Sequence, residues 1–287
     1  MARWKALVAV LAAPLILLVT QFVVFQAVVA IEGPADPDKP ALTPLTIAAT
    51  GVSTALTAVI TTAMVTRMAK VPWRAVFRHN RRFDRRRLGA YLGASACLVG
   101  LSTLASALIA PESTGWGEFG LNASSASVIV ATLLFTPLQS AGEEVAFRGA
   151  VVPAAGSWLR GTRYSIAAGV VTSWIIFAAI HVTLDPWFIG YMFVFSACTA
   201  SMGLITGGIE AAMAFHVSNN VLVGIVNALF AGDDVTVVDR AAGSGPGAAL
   251  IILMVMNVAV TLTVWAIERR RRARVPHQAA RKSRPLP

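Results

Sequence analysis

Long apolar stretches alternate with short polar connectors along most of this chain. Each stretch is long enough to cross a bilayer as a helix, which takes about 20 mostly apolar residues. The eight stretches are Ala6–Ile31, Ala41–Thr66, Leu88–Ala110, Ser124–Phe147, Tyr164–Val182, Trp187–Ile209, Ala211–Phe230 and Gly247–Ile267. The pattern predicts an all-α fold, a polytopic transmembrane helical bundle of about eight spans. We expect residues 1–268 to form this single transmembrane domain and residues 269–287 to form a basic cytoplasmic tail.

Composition supports a membrane protein. The chain is 56% hydrophobic and 13% charged, with a mean hydropathy of +0.68, which excludes an ordinary soluble domain. The first apolar stretch follows a short basic segment, as a signal peptide would. Its apolar run is longer than the usual h-region of about 7–15 residues, so we expect an uncleaved first helix.

The net charge of +10 is concentrated in a few short segments. Arginines cluster in the connector 67–87 and in the tail 269–284, whereas the connectors 32–38, 112–118 and 233–239 are acidic. Under the positive-inside rule this alternation predicts a multi-pass protein of the cell membrane with both termini in the cytoplasm. We expect the lipid bilayer as a partner and no nucleic acid, because the basic residues border the spans, where they attract anionic lipid. The oligomeric state stays open.

Two adjacent carboxylates, Glu143 and Glu144, lie in the fourth apolar stretch, and Arg148 follows one helical turn later. A charge in hydrocarbon costs roughly 2.5–3.5 kcal/mol on insertion scales, so ionisable groups at this depth mark a functional site by default. Glu144 and Arg148 have the spacing and order of a favourable helical ion pair. Because adjacent helical residues are about 100° apart, we expect the carboxylates to serve different faces, which leaves Glu143 free as a general base. The alternative is a structural Glu–Arg pair with Glu143 facing a polar cavity.

Two later apolar stretches each contain a histidine with a partner at helical spacing. Phe177 precedes His181 by four residues, and His216 precedes Asn220 by four. A His and an Asn one turn apart can donate hydrogen bonds to one point, as an oxyanion site requires. The alternative for this pair is an interhelical hydrogen-bond contact, which polar residues often make in membrane bundles.

Three motifs occur in order within these apolar segments. Residues 143–148 form EExxxR, residues 177–181 form FxxxH, and residues 216–220 form HxxxN. The ordered trio resembles the CPBP family of intramembrane proteases, which includes the type II CAAX prenyl endopeptidases. The resemblance covers about residues 124–227.

This resemblance implies an intramembrane endopeptidase that hydrolyses a peptide bond of a membrane-associated peptide or membrane-protein substrate. By the same resemblance, Glu143 and His181 would hold and activate the attacking water, and His216 and Asn220 would stabilise the oxyanion. The supporting residues would be Glu144, Arg148 and Phe177.

The sequence leaves alternatives open for both the cofactor and the class of function. Members of the family have been described both as metalloproteases and as glutamate-type proteases, and Glu143, His181 and His216 could supply three zinc ligands with an open water position. An HExxH motif is absent and Asn220 is a poor zinc ligand, so we favour a glutamate-type mechanism with no cofactor. The alternative function is non-enzymatic: a membrane transporter that uses the Glu/His cluster as a proton relay, or a scaffold or immunity protein. We find no inverted repeat, which weighs against a secondary transporter.

Overall fold

The computed structural model describes residues 1–34, 42–78, 81, 83–114, 116–230 and 247–282, with side chains as far as residue 273. These residues form α-helices and no β-strand, so the predicted all-α fold is confirmed. The helices are α1 (Arg3–Glu32), α2 (Pro44–Ala69), α3 (Arg74–Phe77), α4 (Arg85–Ile109), α5 (Ala123–Glu144), α6 (Val152–Gly156), α7 (Thr162–Ala179), α8 (Pro186–Thr206), α9 (Glu210–Leu229) and α10 (Gly247–Lys282). A π-helical segment, Val145–Val151, joins α5 to α6.

Among the described residues, eight helices are long and apolar enough to cross a membrane, judged by length and composition. Each begins within three residues of a predicted span. Two helix ends differ from the predicted ends by more than three residues. The fourth helix continues through Gly156 because the residues after Phe147 stay apolar, and α10 continues to Lys282 because arginine is a good helix former. The predicted tail is therefore helical as far as Lys282, and residues 283–287 lie outside the described part of the chain.

Short polar side chains fix where several helices begin. Asn122 accepts a hydrogen bond from the Ser125 amide at 2.8 Å, and the Ser125 hydroxyl accepts one from the Asn122 amide at 2.9 Å. This capping box starts α5. Asp84 caps α4, and its hydrogen bonds from backbone amides hold the pKa of its carboxyl below the usual range. Asp185 caps α8 in the same way through the Trp187 amide at 2.9 Å.

Close backbone contacts hold the fourth span against its neighbours. A Cβ on Gly142 would come within 2.7 Å of the Thr54 carbonyl oxygen, so only glycine allows α2 to pass this close to the end of α5. On the other side, a Cβ on Gly156 would lie 2.8 Å from the Ser165 carbonyl oxygen. Gly169 lies against Val152 in the same antiparallel contact between α6 and α7. Farther along, Phe147 of the π-helical segment contacts Phe177 of α7, with 5.3 Å between ring centroids.

Ion pairs tie together the helix ends on the side of the basic connector. Glu268 of α10 accepts hydrogen bonds from Arg87 Nε at 2.7 Å and from the Tyr91 hydroxyl at 2.6 Å. Glu210, at the start of α9, pairs with Arg78 at 3.5 Å and with Arg81. Burial lowers the pKa of Arg81, although Glu210 opposes that effect. These contacts hold α10 against the start of α4 and hold the connector after α2 against the start of α9.

Candidate active site

The two carboxylates of the first motif lie where the α-helix changes to a π-helix. Glu143 and Glu144 are the last residues of α5, and the wider π-helical turns begin at Val145. Glu144 is completely buried and Glu143 is 7% exposed. Such π-helical insertions are frequent at functional sites.

The imidazole of His216 lies between these carboxylates. Its Nδ1 atom is 2.9 Å from Glu144 Oε1 and its Nε2 atom is 3.7 Å from Glu143 Oε2. The expectation that the two carboxylates would serve separate faces was therefore wrong. The two carboxylates leave the helix in different directions, yet each faces a different nitrogen of the same imidazole ring.

Glu143 has a neutral partner that the motifs do not include. The Gln139 side-chain amide donates a hydrogen bond from Nε2 to Glu143 Oε1 at 3.0 Å, one helical turn earlier on α5. The other carboxylate oxygen of Glu143 faces His216. The two oxygens of this carboxylate are thus directed to different neighbours.

Arg148 forms the ion pair that its spacing predicted. Its Nε atom lies 3.4 Å from Glu144 Oε2 and donates a hydrogen bond to Thr199 Oγ1 at 2.9 Å. The guanidinium carbon also lies 4.6 Å from the ring centroid of Phe177 and 5.9 Å from that of Phe195. The charge of Arg148 is therefore held in a buried place by one carboxylate, one hydroxyl and two aromatic faces.

Phe177 contacts residues of all three motifs. Besides Arg148, its ring lies 4.8 Å from the imidazole of His181 and 6.4 Å from that of His216, measured between centroids. It stacks on Phe195 at 6.0 Å, and Phe195 lies edge-on to His216 at 4.7 Å. The phenylalanine of FxxxH is thus a central packing residue of the cluster.

His181 lies just beyond the helix that was predicted to contain it. The helix α7 ends at Ala179, whereas the predicted span ran to Val182, which instead has a left-handed φ of +46°. The Nδ1 atom of His181 is 2.6 Å from the Phe177 carbonyl oxygen. A carbonyl oxygen only accepts, so Nδ1 carries the proton and Nε2 is the acceptor in the neutral ring.

Asn220 lies one turn after His216 on α9. Its Oδ1 atom accepts a hydrogen bond from Asn219 Nδ2 at 3.0 Å, and the same Asn219 nitrogen lies 3.4 Å from the Tyr191 hydroxyl. The structure brings together five of the predicted site residues: Glu143, Glu144, Arg148, Phe177 and His216. His181 joins them through its contact with Phe177. Among the contacts of the described residues, none joins Asn220 to these side chains.

The comparisons with known proteins bear on the segment that contains these residues. Residues 122–222 match a family model described as Type II CAAX prenyl endopeptidase Rce1-like. This segment is therefore similar to Rce1-like domains. The resemblance inferred from the three motifs is confirmed, and the family implies intramembrane endopeptidase activity of the CAAX type on a peptide or membrane-protein substrate. The comparisons with curated proteins and with solved structures found no match.

The Rce1-like segment contains site residues that sequence reasoning missed. Gln139 precedes Glu143 by four residues, a helical spacing that could have revealed it. Thr199 and Phe195 reach the site from α8, and no motif or spacing in the sequence connects them to Arg148 or His216.

A cavity of about 530 Å³ lies beside the site, and its lining residues come from positions 75–78 and 148–209. It is lined by Arg78, Arg148, Val152, Ile166, Gly203 and Leu204, among others, and none of the four predicted catalytic residues lines it. Of the residues in the three motifs, Arg148 belongs to the lining.

The candidate zinc ligands meet only part of what a zinc site requires. His181 and His216 each direct Nδ1 at an oxygen acceptor, which is the arrangement that metal-binding histidines commonly have. Among the described residues, however, no three His, Cys, Asp or Glu side chains are placed to hold one metal ion. The three candidate ligands Glu143, His181 and His216 therefore do not form a ready zinc site.

Proposed function

We propose that this chain is a multi-pass intramembrane endopeptidase of the glutamate type, with both termini in the cytoplasm. Its substrate is a membrane-associated peptide or membrane protein, as the Rce1-like match supports. The same match favours a peptidase over the transporter, scaffold and immunity-protein alternatives. The single observation that carries the proposed mechanism is the position of His216 between Glu143 and Glu144.

Glu143 is the proposed general base. Its Oε2 atom and His216 Nε2 are 3.7 Å apart, too far for a hydrogen bond, but a water molecule beside the line between them could lie about 2.8 Å from both. The Nδ1 atom of His181 is held by the Phe177 carbonyl oxygen, so Nε2 is the acceptor atom of the neutral ring. Glu143 and His181 together would hold and activate the water.

The reaction then proceeds by acyl hydrolysis. The water oxygen attacks the carbonyl carbon of the scissile bond while Glu143 takes its proton. His216 and Asn220 donate hydrogen bonds to the resulting oxyanion. The proton passes from Glu143 to the leaving amine, the C–N bond breaks, and a carboxylic acid and an amine are released.

Glu144 and Arg148 have a supporting role in this scheme. Glu144 accepts from His216 Nδ1 and so orients the ring, in the way a buried carboxylate orients a catalytic histidine in hydrolytic triads. Arg148 neutralises Glu144. The two neighbouring carboxylates therefore differ in role because they differ in partners: a cation and an imidazole for Glu144, and a neutral amide for Glu143.

The proposal is tested with purified protein in detergent and reporter peptides of the CAAX type, with and without a prenyl group, analysed by mass spectrometry. We expect cleavage by the unmodified protein and no cleavage by Glu143→Gln. The matched control is Glu118→Gln, which removes an exposed carboxylate in the connector before α5 and should cleave normally. Equal cleavage by Glu143→Gln would exclude Glu143 as the base.

A further inference from the structure

Gln139 lies outside the three motifs, yet it contacts the proposed base directly. Its Nε2 atom is 3.0 Å from Glu143 Oε1. The α-helix is regular from Gln139 to Glu143 and changes to π-helical turns only at Val145. The two side chains therefore share one face of α5 through the i,i+4 relationship.

The contact determines which oxygen of Glu143 is available. Oε1 accepts the proton of the Gln139 amide, and Oε2 faces His216 Nε2. The terminal torsion of a glutamate side chain is broad and roughly two-fold. Without a partner for Oε1 the carboxylate plane could rotate, and Oε2 would lose its fixed direction toward the place proposed for the water.

The chemical nature of Gln139 also matters. A cation beside Glu143 would hold it equally well but would neutralise it, as Arg148 does for Glu144. An amide N–H is a neutral donor and cannot take the proton that a base must accept. Gln139 can thus hold an ionised carboxylate in place and leave its basicity intact.

We propose that Gln139 is a positioning residue for the reaction, which orients Glu143 so that its Oε2 atom accepts the proton of the attacking water. This proposal rests on the proposed function of Glu143. We expect Gln139 to affect the catalytic step and not substrate binding, because its proposed role involves no contact with the substrate.

Two variants test this assignment. Gln139→Met keeps the length of the side chain and removes the donor. We expect kcat to fall about tenfold, the effect of losing one hydrogen bond to a charged group, while KM and Tm stay unchanged. Gln139→Glu should be slow at neutral pH, where two carboxylates repel each other. It should regain activity relative to the unmodified protein as the pH falls, because the carboxyl introduced at this position then gains a proton to donate.

The controls separate this proposal from the proposed function. Gln21→Met makes the same substitution at a half-buried position in α1 and should leave kcat unchanged. If Glu143→Gln stayed active, the proposed function itself would fail. If Glu143→Gln were inactive and Gln139→Met kept full kcat, only the role of Gln139 would be overturned. The same conclusion would follow if Gln139→Met lost both kcat and Tm while Gln139→Glu showed no altered pH profile.

Discussion

The guanidinium carbon of Arg148 lies 4.6 Å from the ring centroid of Phe177. This contact joins the first motif to the second and explains why a phenylalanine accompanies the histidine at positions 177–181. A cation over a desolvated aromatic ring contributes about 2 kcal/mol or more. The Phe177 ring thus helps to hold the charge of Arg148 where water is excluded.

Arginine should not be replaceable by lysine at position 148. A lysine keeps the charge but lacks the planar group that lies over Phe177 and the Nε donor that reaches Thr199. We expect Arg148→Lys to lower the free energy of unfolding by about 1–3 kcal/mol, measured by thermal or denaturant unfolding in detergent. Arg163→Lys, at an exposed position near the start of α7, is the control and should have no effect. Equal stability of both variants would argue against this role for the guanidinium plane.

The two adjacent glutamates should respond differently to the same substitution. We expect Glu143→Gln to abolish turnover and leave the fold intact, because its neutral amide can still accept from Gln139. Glu144→Gln should reduce both stability and activity, since removing one partner of a buried ion pair costs about 3–5 kcal/mol. Circular dichroism melting and peptide cleavage, measured on the same preparations, separate the two effects. An active Glu143→Gln beside a stable, inactive Glu144→Gln would reverse the assignment.

His216 and Asn220 should each contribute to stabilising the transition state. We expect His216→Ala and Asn220→Ala each to slow kcat by about 10²–10³, the range seen when one oxyanion-hole donor is removed. The His216 variant should also be less stable, because it leaves Glu144 without its imidazole partner. Steady-state kinetics on a reporter peptide provide the measurement. A change confined to KM would instead indicate a role in substrate binding.

Activity should not depend on tightly bound zinc. Asn220 is neutral and therefore a poor zinc ligand. In addition, no three candidate ligands among the described residues are arranged around one point. A strong chelator such as phenanthroline should leave the rate unchanged. Stoichiometric zinc in active protein, with activity lost on removal and restored on re-addition, would overturn the glutamate-type mechanism.

The orientation of the chain should follow its basic segments. Reporter fusions at Arg85 and Arg272 should be accessible from the cytoplasm, and a fusion at Glu118 from the opposite side, because the positive-inside rule retains arginine-rich ends in the cytoplasm. Arg85 and Arg272 lie within four residues of Arg87 and Glu268, which are in contact, so the two fusions must agree with each other. An opposite result at Arg85 would reverse the topology of all eight spans.

The sequence by itself determined the helices and the family. Long apolar runs, polar caps such as Asn122 and residue pairs at i,i+4 such as Glu144 and Arg148 are local features, so they could be predicted without knowing how the helices pack. The three motifs were sufficient to predict the resemblance that the Rce1-like match confirmed.

The arrangement of the site was decided only by the tertiary structure. His216 meets Glu144 across 72 positions of the chain, and Thr199 meets Arg148 across 51. Neither contact has a sequence signal, because each depends on how two helices cross and on which edge of a ring turns toward a carboxylate. The end of α7 at Ala179, before His181, was likewise set by the local backbone rather than by hydrophobicity, since the apolar run itself continues to Val182. Hydrophobic pattern specifies which residues lie in the bundle; close packing of particular side chains specifies which of them meet.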